Sequence, residues 1–263
     1  MKKLIALLLC VLMVTAMMAG CAAGQGSGSN LKTVASGKLI MATNAAFPPY
    51  EYLEGGKIVG IDAEIAEAIA KKLGLELQID DMEFDSITEA VKNGKADIGL
   101  AGMTVTDERK EEVDFTVSYA TGVQVIIVTE DSKITSVADL FAEGAFHTIG
   151  VQRNTTGDLY TTWDLEDNDM ATIERYSKGA DAVQALKTGK VDCVVIDNEP
   201  AKAFVDSVDG LKILETEYIQ EQYAAAMNKE NKELYEAVNN ALQELIKDGT
   251  VQKIIDKYIP ADK

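Results

Sequence analysis

The chain has 263 residues, 43 of them acidic against 25 basic, and a formal net charge of −18. An acidic excess of that size disfavours a nucleic-acid partner. Cys10, Cys21 and Cys193 are the three cysteines, and the single histidine, His147, has no Cys or His at ligand spacing, so neither a disulfide framework nor a metal or other cofactor is expected.

Lys2 and Lys3 open a basic start, and the apolar stretch from Leu4 to Met18 falls short of the roughly 20 residues that span a bilayer. Residues 1–20 therefore read as an export signal. Met18-Ala19-Gly20-Cys21 is similar to the bacterial lipobox, which implies diacylation of Cys21 and a mature chain anchored at the outer face of the cytoplasmic membrane, on the cell surface or in a periplasm. A plain secretory signal with an incidental Cys21 is the alternative. The segment AAGQGSGSN that follows has no apolar period, so residues 21–35 are expected to form a flexible tether.

From Ser36 onward about 230 residues remain, comfortable for two lobes. A buried strand at 38–43 comes first, followed by a helix whose Ile61, Ile65, Ile69 and Leu73 share one face and which Gly74 ends. A strand at 75–79 follows. Ser86 with Glu89 makes a capping box for a helix stopped by Gly94, before a short buried strand at 98–101. Thr106 can cap a short helix with Arg109 in its first turn. Further strands are expected at 123–128, 148–151, 171–176, 193–196, 211–214 and 222–227, with helices at 158–164, 232–247 and 251–258.

One stretch repeats: Ala90-Val91-Lys92-Asn93-Gly94-Lys95-Ala96-Asp97 returns as Ala185-Leu186-Lys187-Thr188-Gly189-Lys190-Val191-Asp192. Each copy reads as a helix end, a glycine turn and a strand start. Two α/β units of one design imply two Rossmann-like lobes with parallel sheets, residues 36–120 with 223–263 in lobe 1 and 121–222 in lobe 2. The chain then crosses twice, near 119–124 and 219–222, and paired crossings make a hinge.

Ligands of open α/β sheets bind outside the carboxyl ends of strands. Those ends carry Asn44 and Phe47, then Gly102-Met103-Thr104, then Gln152 with Thr155 and Thr156, then Asp197. Arg109, one of only three arginines, lies close by and can grip a carboxylate with two parallel bonds, unless it is spent on Asp107 or Glu112. The amides at Thr155-Thr156-Gly157 begin a helix and also favour an anion. Asp197 suits an ammonium, or caps the helix beginning near Glu199. The combined set matches an α-amino acid.

The stretches ATNAAFPPYEY, VGIDAEIAEAIAKKLG, AGMTVTDERKEEVDF, GVQRNTTGD and VVIDNEP resemble the extracellular solute-binding proteins for polar amino acids, over about 38–259. The resemblance implies the type II periplasmic-binding-protein fold and a monomer that binds a polar α-amino acid and delivers it to the transmembrane subunits of an ABC importer. By the same resemblance Arg109, Thr104 and the Thr155-Thr156 amides hold the ligand carboxylate, and Asp197 with the Gly102 carbonyl holds the ammonium. Phe47 and Phe84 flank the side chain. Asn44 and Gln152 stand at specificity positions, where Asn44 in place of aspartate points to a neutral polar ligand. Arg153 either faces solvent or favours a larger or acidic ligand, and Tyr50 lines or underlies the cleft. No catalytic residue is expected, although the fold also resembles cyclohexadienyl dehydratases. An enzyme of that kind and an amino-acid sensor domain are the alternatives.

Overall fold

A computed structural model describes residues 31–260. The expected signal, Cys21 and tether residues 21–30 lie outside the described residues. The fold begins before Ser36. Val34 N–H donates to Asp97 Oδ1 at 2.8 Å, and Asn231 Nδ2 donates to the Lys32 carbonyl at 2.8 Å, so residues 31–35 are strapped to the first lobe rather than free.

The first lobe is built on a five-stranded sheet in the order β5-β1-β6-β14-β7, comprising β1 (Lys38–Thr43), β5 (Glu76–Asp81), β6 (Ile98–Gly99), β7 (Asp114–Phe115) and β14 (Ala226–Met227). A small sheet of β2 (Ala46–Phe47), β3 (Glu51–Glu54) and β4 (Lys57–Val59) sits beside it. The second lobe orders β10 (Ala171–Tyr176), β9 (His147–Gln152), β11 (Cys193–Asp197), β8 (Ala120–Thr129) and β12 (Leu211–Ile213), with β13 (Ile219–Tyr223) pairing the other end of β8. In each main sheet the first three strands of the order run parallel and the fourth is antiparallel. The two lobes therefore share one plan.

The repeated octapeptide is the local cause of that likeness. After each helix a glycine at positive φ, Gly94 at 65° or Gly189 at 72°, lets the chain reverse. Lys95 N–H then donates to the Ala90 carbonyl at 2.8 Å, and Lys190 N–H to that of Ala185 at 2.9 Å. The terminal aspartates do identical work. Asp97 Oδ2 accepts from Ile40 N–H and Asp192 Oδ2 from Thr148 N–H, both at 2.8 Å, while each aspartate's own N–H returns a bond to the same residue's carbonyl. A carboxylate thus docks the new strand onto its neighbour in both lobes.

Several local expectations shift. The helix Ile87–Lys92 has no capping box: a 3-10 turn at Phe84–Ser86 already winds into it, so Ser86 adopts helical angles and its hydroxyl turns to Asp85. The expected strand at 222–227 is two strands, because the chain leaves β8 of one sheet after Tyr223 and joins β6 of the other at Ala226. The helix expected at 158–164 begins at Thr156 and passes into a π turn at Thr162–Glu166. Helix Lys232–Lys247 packs with Thr250–Tyr258 against Ile61–Leu73 of the first lobe, where Ile61, Ile65 and Ile69 are wholly buried.

Strands β8 and β13 form an antiparallel ribbon in which Glu221 faces Gly122 and Tyr223 faces Ala120. This ribbon is the double crossing between lobes. Removing the Asp97 carboxylate should leave two N–H groups short of an acceptor, so Asp97→Ala is expected to cost about 1–3 kcal/mol in urea unfolding. Asp97→Asn, which keeps one acceptor, should recover part of it.

Candidate functional site

Arg109 owes its position to a cap within four residues. Thr106 Oγ1 accepts from Arg109 N–H at 3.2 Å, starting the helix Asp107–Glu112 and turning the guanidinium inward. Asp107 and Glu112 do not hold it, since they pair with Lys110 and Lys92. Instead Nη1 donates to the Thr104 carbonyl at 2.8 Å, and Nη2 reaches the second lobe's Asn154 carbonyl at 2.9 Å. The group lies 5.3 Å from the Phe84 ring centroid, in cation–π range. Burial pulls its pKa down to about 10 against the pull of Glu221 and Asp197, so it stays charged at neutral pH.

Across from it, Asp197 ends β11 and is 5% exposed. Its Oδ2 accepts from Gln124 Nε2 at 2.7 Å and its Oδ1 from the Tyr223 hydroxyl. It makes no side-chain cap on helix Asn198–Ser207, so the carboxylate is turned to the cleft and not to that helix. Burial, with Glu221 nearby, drives its pKa well above the usual carboxylate range.

Between the lobes lies a narrow cavity lined by Asn44, Phe47, Glu51, Phe84, Ala101, Gly102, Thr104, Arg109, Gln152, Thr155, Thr156 and Asp197. Ten of the eleven residues expected from the strand ends, the short helix of Arg109 and the family resemblance are brought together here. Met103 is the correction: its side chain is wholly buried in the first lobe's core with Ile40 and Ala42, because alternation along the chain sends it inward between Gly102 and Thr104. Gly102 has φ 54°, and a Cβ there would stand 2.8 Å from the Phe47 ring, so conformation and space both require glycine. Tyr50 lies beneath the cavity, edge-on to Tyr223 at 5.2 Å between centroids. Arg153 is half exposed and 3.7 Å from Asp85, at the rim between lobes.

The two amides expected to read the side chain are engaged with each other. Gln152 Nε2 donates to Asn44 Oδ1 at 3.0 Å across the cleft and Asn44 Nδ2 to the Met82 carbonyl at 2.8 Å. Glu51, by contrast, lines the cavity wholly buried with neither carboxyl oxygen hydrogen-bonded among the described residues.

Beneath the cavity wall lie groups that the strand ends did not reveal. Asp62 Oδ2 accepts from Gly102 N–H and from the Tyr119 hydroxyl, each at 2.8 Å. Its position was legible in principle, since Asp62, Ile65 and Ile69 fall on one buried helical face. Glu221 was legible too, on the same face of β13 as Tyr223. Glu51, Asp62, Asp197 and Glu221 are buried with one guanidinium among them. Desolvation pushes Asp62 up to about 6 and Glu51, with Asp62 beside it, well above its ordinary range.

Two α/β lobes on a two-stranded hinge, enclosing a cavity lined from both, define a ligand-binding protein of the type II periplasmic architecture. The chain belongs to the bacterial extracellular solute-binding proteins, family 3, whose family model matches residues 39–261. It is 33% identical to the arginine-binding extracellular protein ArtP of Bacillus subtilis over 266 residues, covering 100% of both chains. A solved ancestral arginine-binding protein with arginine bound is 38% identical at a TM-score of 0.78, covering 85% of this chain and 98% of that one. The ancestral amino-acid-binding protein AncCDT-1, a precursor of cyclohexadienyl dehydratase, is 32% identical at a TM-score of 0.75, over 84% of this chain and 95% of that one. Among the described residues no helix is long and apolar enough to cross a membrane.

An unfolded aspartate titrates near pH ~3.9 and the folded Asp62 at about 6. Between those values the folded state holds the extra proton, so this group's contribution to stability falls as pH rises through the window. Thermal or urea unfolding of the ligand-free protein should show a loss of about 1–2 kcal/mol from Asp62 between pH 5 and 7. Asp62→Asn, which removes the titrating group, should flatten that slope; an unchanged slope would show that Asp62 does not titrate in this window.

Proposed function

We propose that the protein captures a basic α-amino acid outside the cytoplasm and delivers it to the transmembrane subunits of an ABC importer, closing about the β8–β13 hinge as it does so. The observation that carries this reading is the opposition of Arg109 and Asp197 across one cavity, a guanidinium for a carboxylate and a carboxylate for an ammonium, on different lobes. Ligand contacts made to both lobes favour the closed form over the open one.

The basic side chain is supported by Glu51. Asn44 and Gln152 argue for a neutral polar ligand only while their amides are free, and those amides already bond one another. Glu51 lines the cavity along with Phe47 and Phe84, its carboxyl oxygens accept no hydrogen bond among the described residues, and a guanidinium or ammonium would supply donors and charge. The arginine-binding relatives agree with this class. The ten binding residues are thus assigned as Arg109, Thr104 and the Thr155 and Thr156 amides for the carboxylate, Asp197 and Gly102 for the ammonium, and Phe47, Phe84, Asn44 and Gln152 around the side chain, with Glu51 added to them.

Export and anchoring through Cys21 belong to the same proposal, as do a monomeric state and residues 36–120 with 223–263 as one lobe and 121–222 as the other. Export and anchoring are supported by Lys2, Lys3, the apolar stretch and the small residues before Cys21. Cys21→Ser, expressed in a bacterial host, is expected to move the protein from the membrane fraction to the soluble exported fraction.

A thermal-shift screen of the twenty amino acids and cystine should give its largest shift with arginine, lysine or histidine. Calorimetry should find that Arg109→Ala costs about 2 kcal/mol or more in affinity, by loss of a desolvated charge pair. Glu51→Gln should weaken arginine more than glutamine, and equal losses for the two would remove Glu51 from side-chain recognition. A buried acid such as Glu51 could also serve a dehydratase, the reading favoured by the likeness to AncCDT-1. Arogenate and prephenate should nevertheless show no turnover.

A further inference from the structure

We infer that Glu221, on the hinge strand and outside the cavity lining, is a positioning residue for ligand capture: its carboxylate ties a hydroxyl of each lobe to the hinge and thereby sets how the two walls of the site meet. The inference rests on the reading of the cavity as an amino-acid site.

A single oxygen, Glu221 Oε2, accepts three hydrogen bonds. Thr104 Oγ1 of the first lobe donates at 3.2 Å, Thr156 Oγ1 of the second lobe at 2.9 Å, and Gln124 Nε2 of strand β8 at 3.0 Å. Three donors converging on one atom call for a strong acceptor, and burial raises the pKa of this carboxyl while those three bonds and Arg109 act against that rise. Gln124 Nε2 carries the connection onward to Asp197 Oδ2 at 2.7 Å, and Asp197 is also bonded to Tyr223 on the Glu221 face of β13. One hinge carboxylate therefore stands next to the group assigned to each end of the ligand.

This arrangement also divides the atoms of the two threonines. A hydroxyl has one hydrogen to donate, and those of Thr104 and Thr156 are directed at Glu221. What remains for a ligand carboxylate is the backbone N–H of each. Among the described residues neither N–H donates to another protein group. Glu221 thus orients the two residues by their side chains while leaving their amides to the ligand. The ribbon is shaped for this contact: Gly122 lies opposite Glu221, and a Cβ on it would come within 2.1 Å of the Tyr223 hydroxyl oxygen and 2.6 Å of Asp197 Oδ1.

The test is calorimetric titration of wild type, Glu221→Ala and Glu221→Gln with L-arginine and L-glutamine, alongside small-angle scattering of each protein with and without the amino acid. Glu221→Ala should weaken binding about tenfold or more and enlarge the ligand-free radius of gyration, because the closed arrangement is then less populated. Glu221→Gln, which keeps an acceptor in place, should recover most of both losses. Should the alanine variant fail to fold, Thr156→Val removes one lobe's tie while leaving its amide, and it should move affinity and radius in the same directions. Wild-type binding that depends on Arg109 but is unchanged in Glu221→Ala, or in Thr156→Val where it replaces that variant, would overturn the positioning role alone. Absence of wild-type binding to any amino acid would overturn the reading beneath it as well.

Discussion

Taking a carboxylate out of water costs several kcal/mol unless a cation or a full set of donors replaces the solvent, and this protein buries Glu51, Asp62, Asp197 and Glu221 around one guanidinium. The surroundings of the cleft answer that cost. Asp62 takes a backbone N–H and a tyrosine hydroxyl, Asp197 takes Gln124 and Tyr223, and Glu221 takes three donors on one oxygen. Glu51 has no such partners among the described residues, and burial with Asp62 beside it raises its pKa well above the ordinary carboxylate range. A basic ligand of the proposed class brings the missing donors and positive charge, so capture and closure become one thermodynamic event.

The hinge takes a direct part in that balance. Gln124 of β8 and Glu221 and Tyr223 of β13 reach the site's polar groups from the ribbon itself. Gly122 leaves them room. The rim adds contacts of its own, with Gln152 against Asn44, Arg109 against the Asn154 carbonyl and Arg153 beside Asp85. The arrangement is therefore assembled from neutral and charge-assisted bonds at the rim and a surplus of buried acids at the centre, which leaves its net stability sensitive to what occupies the cavity.

Much of this was legible in the chain wherever the cause is local. The glycine turn of each octapeptide closes on itself, so the bonds from Lys95 to Ala90 and from Lys190 to Ala185 follow from spacing, whereas the docking bonds of Asp97 and Asp192 reach strands far back in the chain. Thr106 and Arg109 are three apart, so the cap and the inward turn of the arginine could be foreseen. Ser86 and Glu89 have the same spacing and form no box, because a turn upstream had already begun the helix. Local rules hold until a neighbouring segment supplies a competing continuation.

Residue types and periods by themselves determined two α/β lobes, a double crossing and strand ends rich in anion and cation partners, since hydrophobic periodicity and turn chemistry act over a few residues. Only the tertiary structure decided which polar groups are free. Asn44 and Gln152 belong to different lobes and cancel one another, Met103 turns into the core, and Glu51 becomes a cleft acid through folding that no spacing records. Desolvation and hydrogen-bond supply depend on what surrounds an atom in space, and those neighbours come from distant parts of the chain.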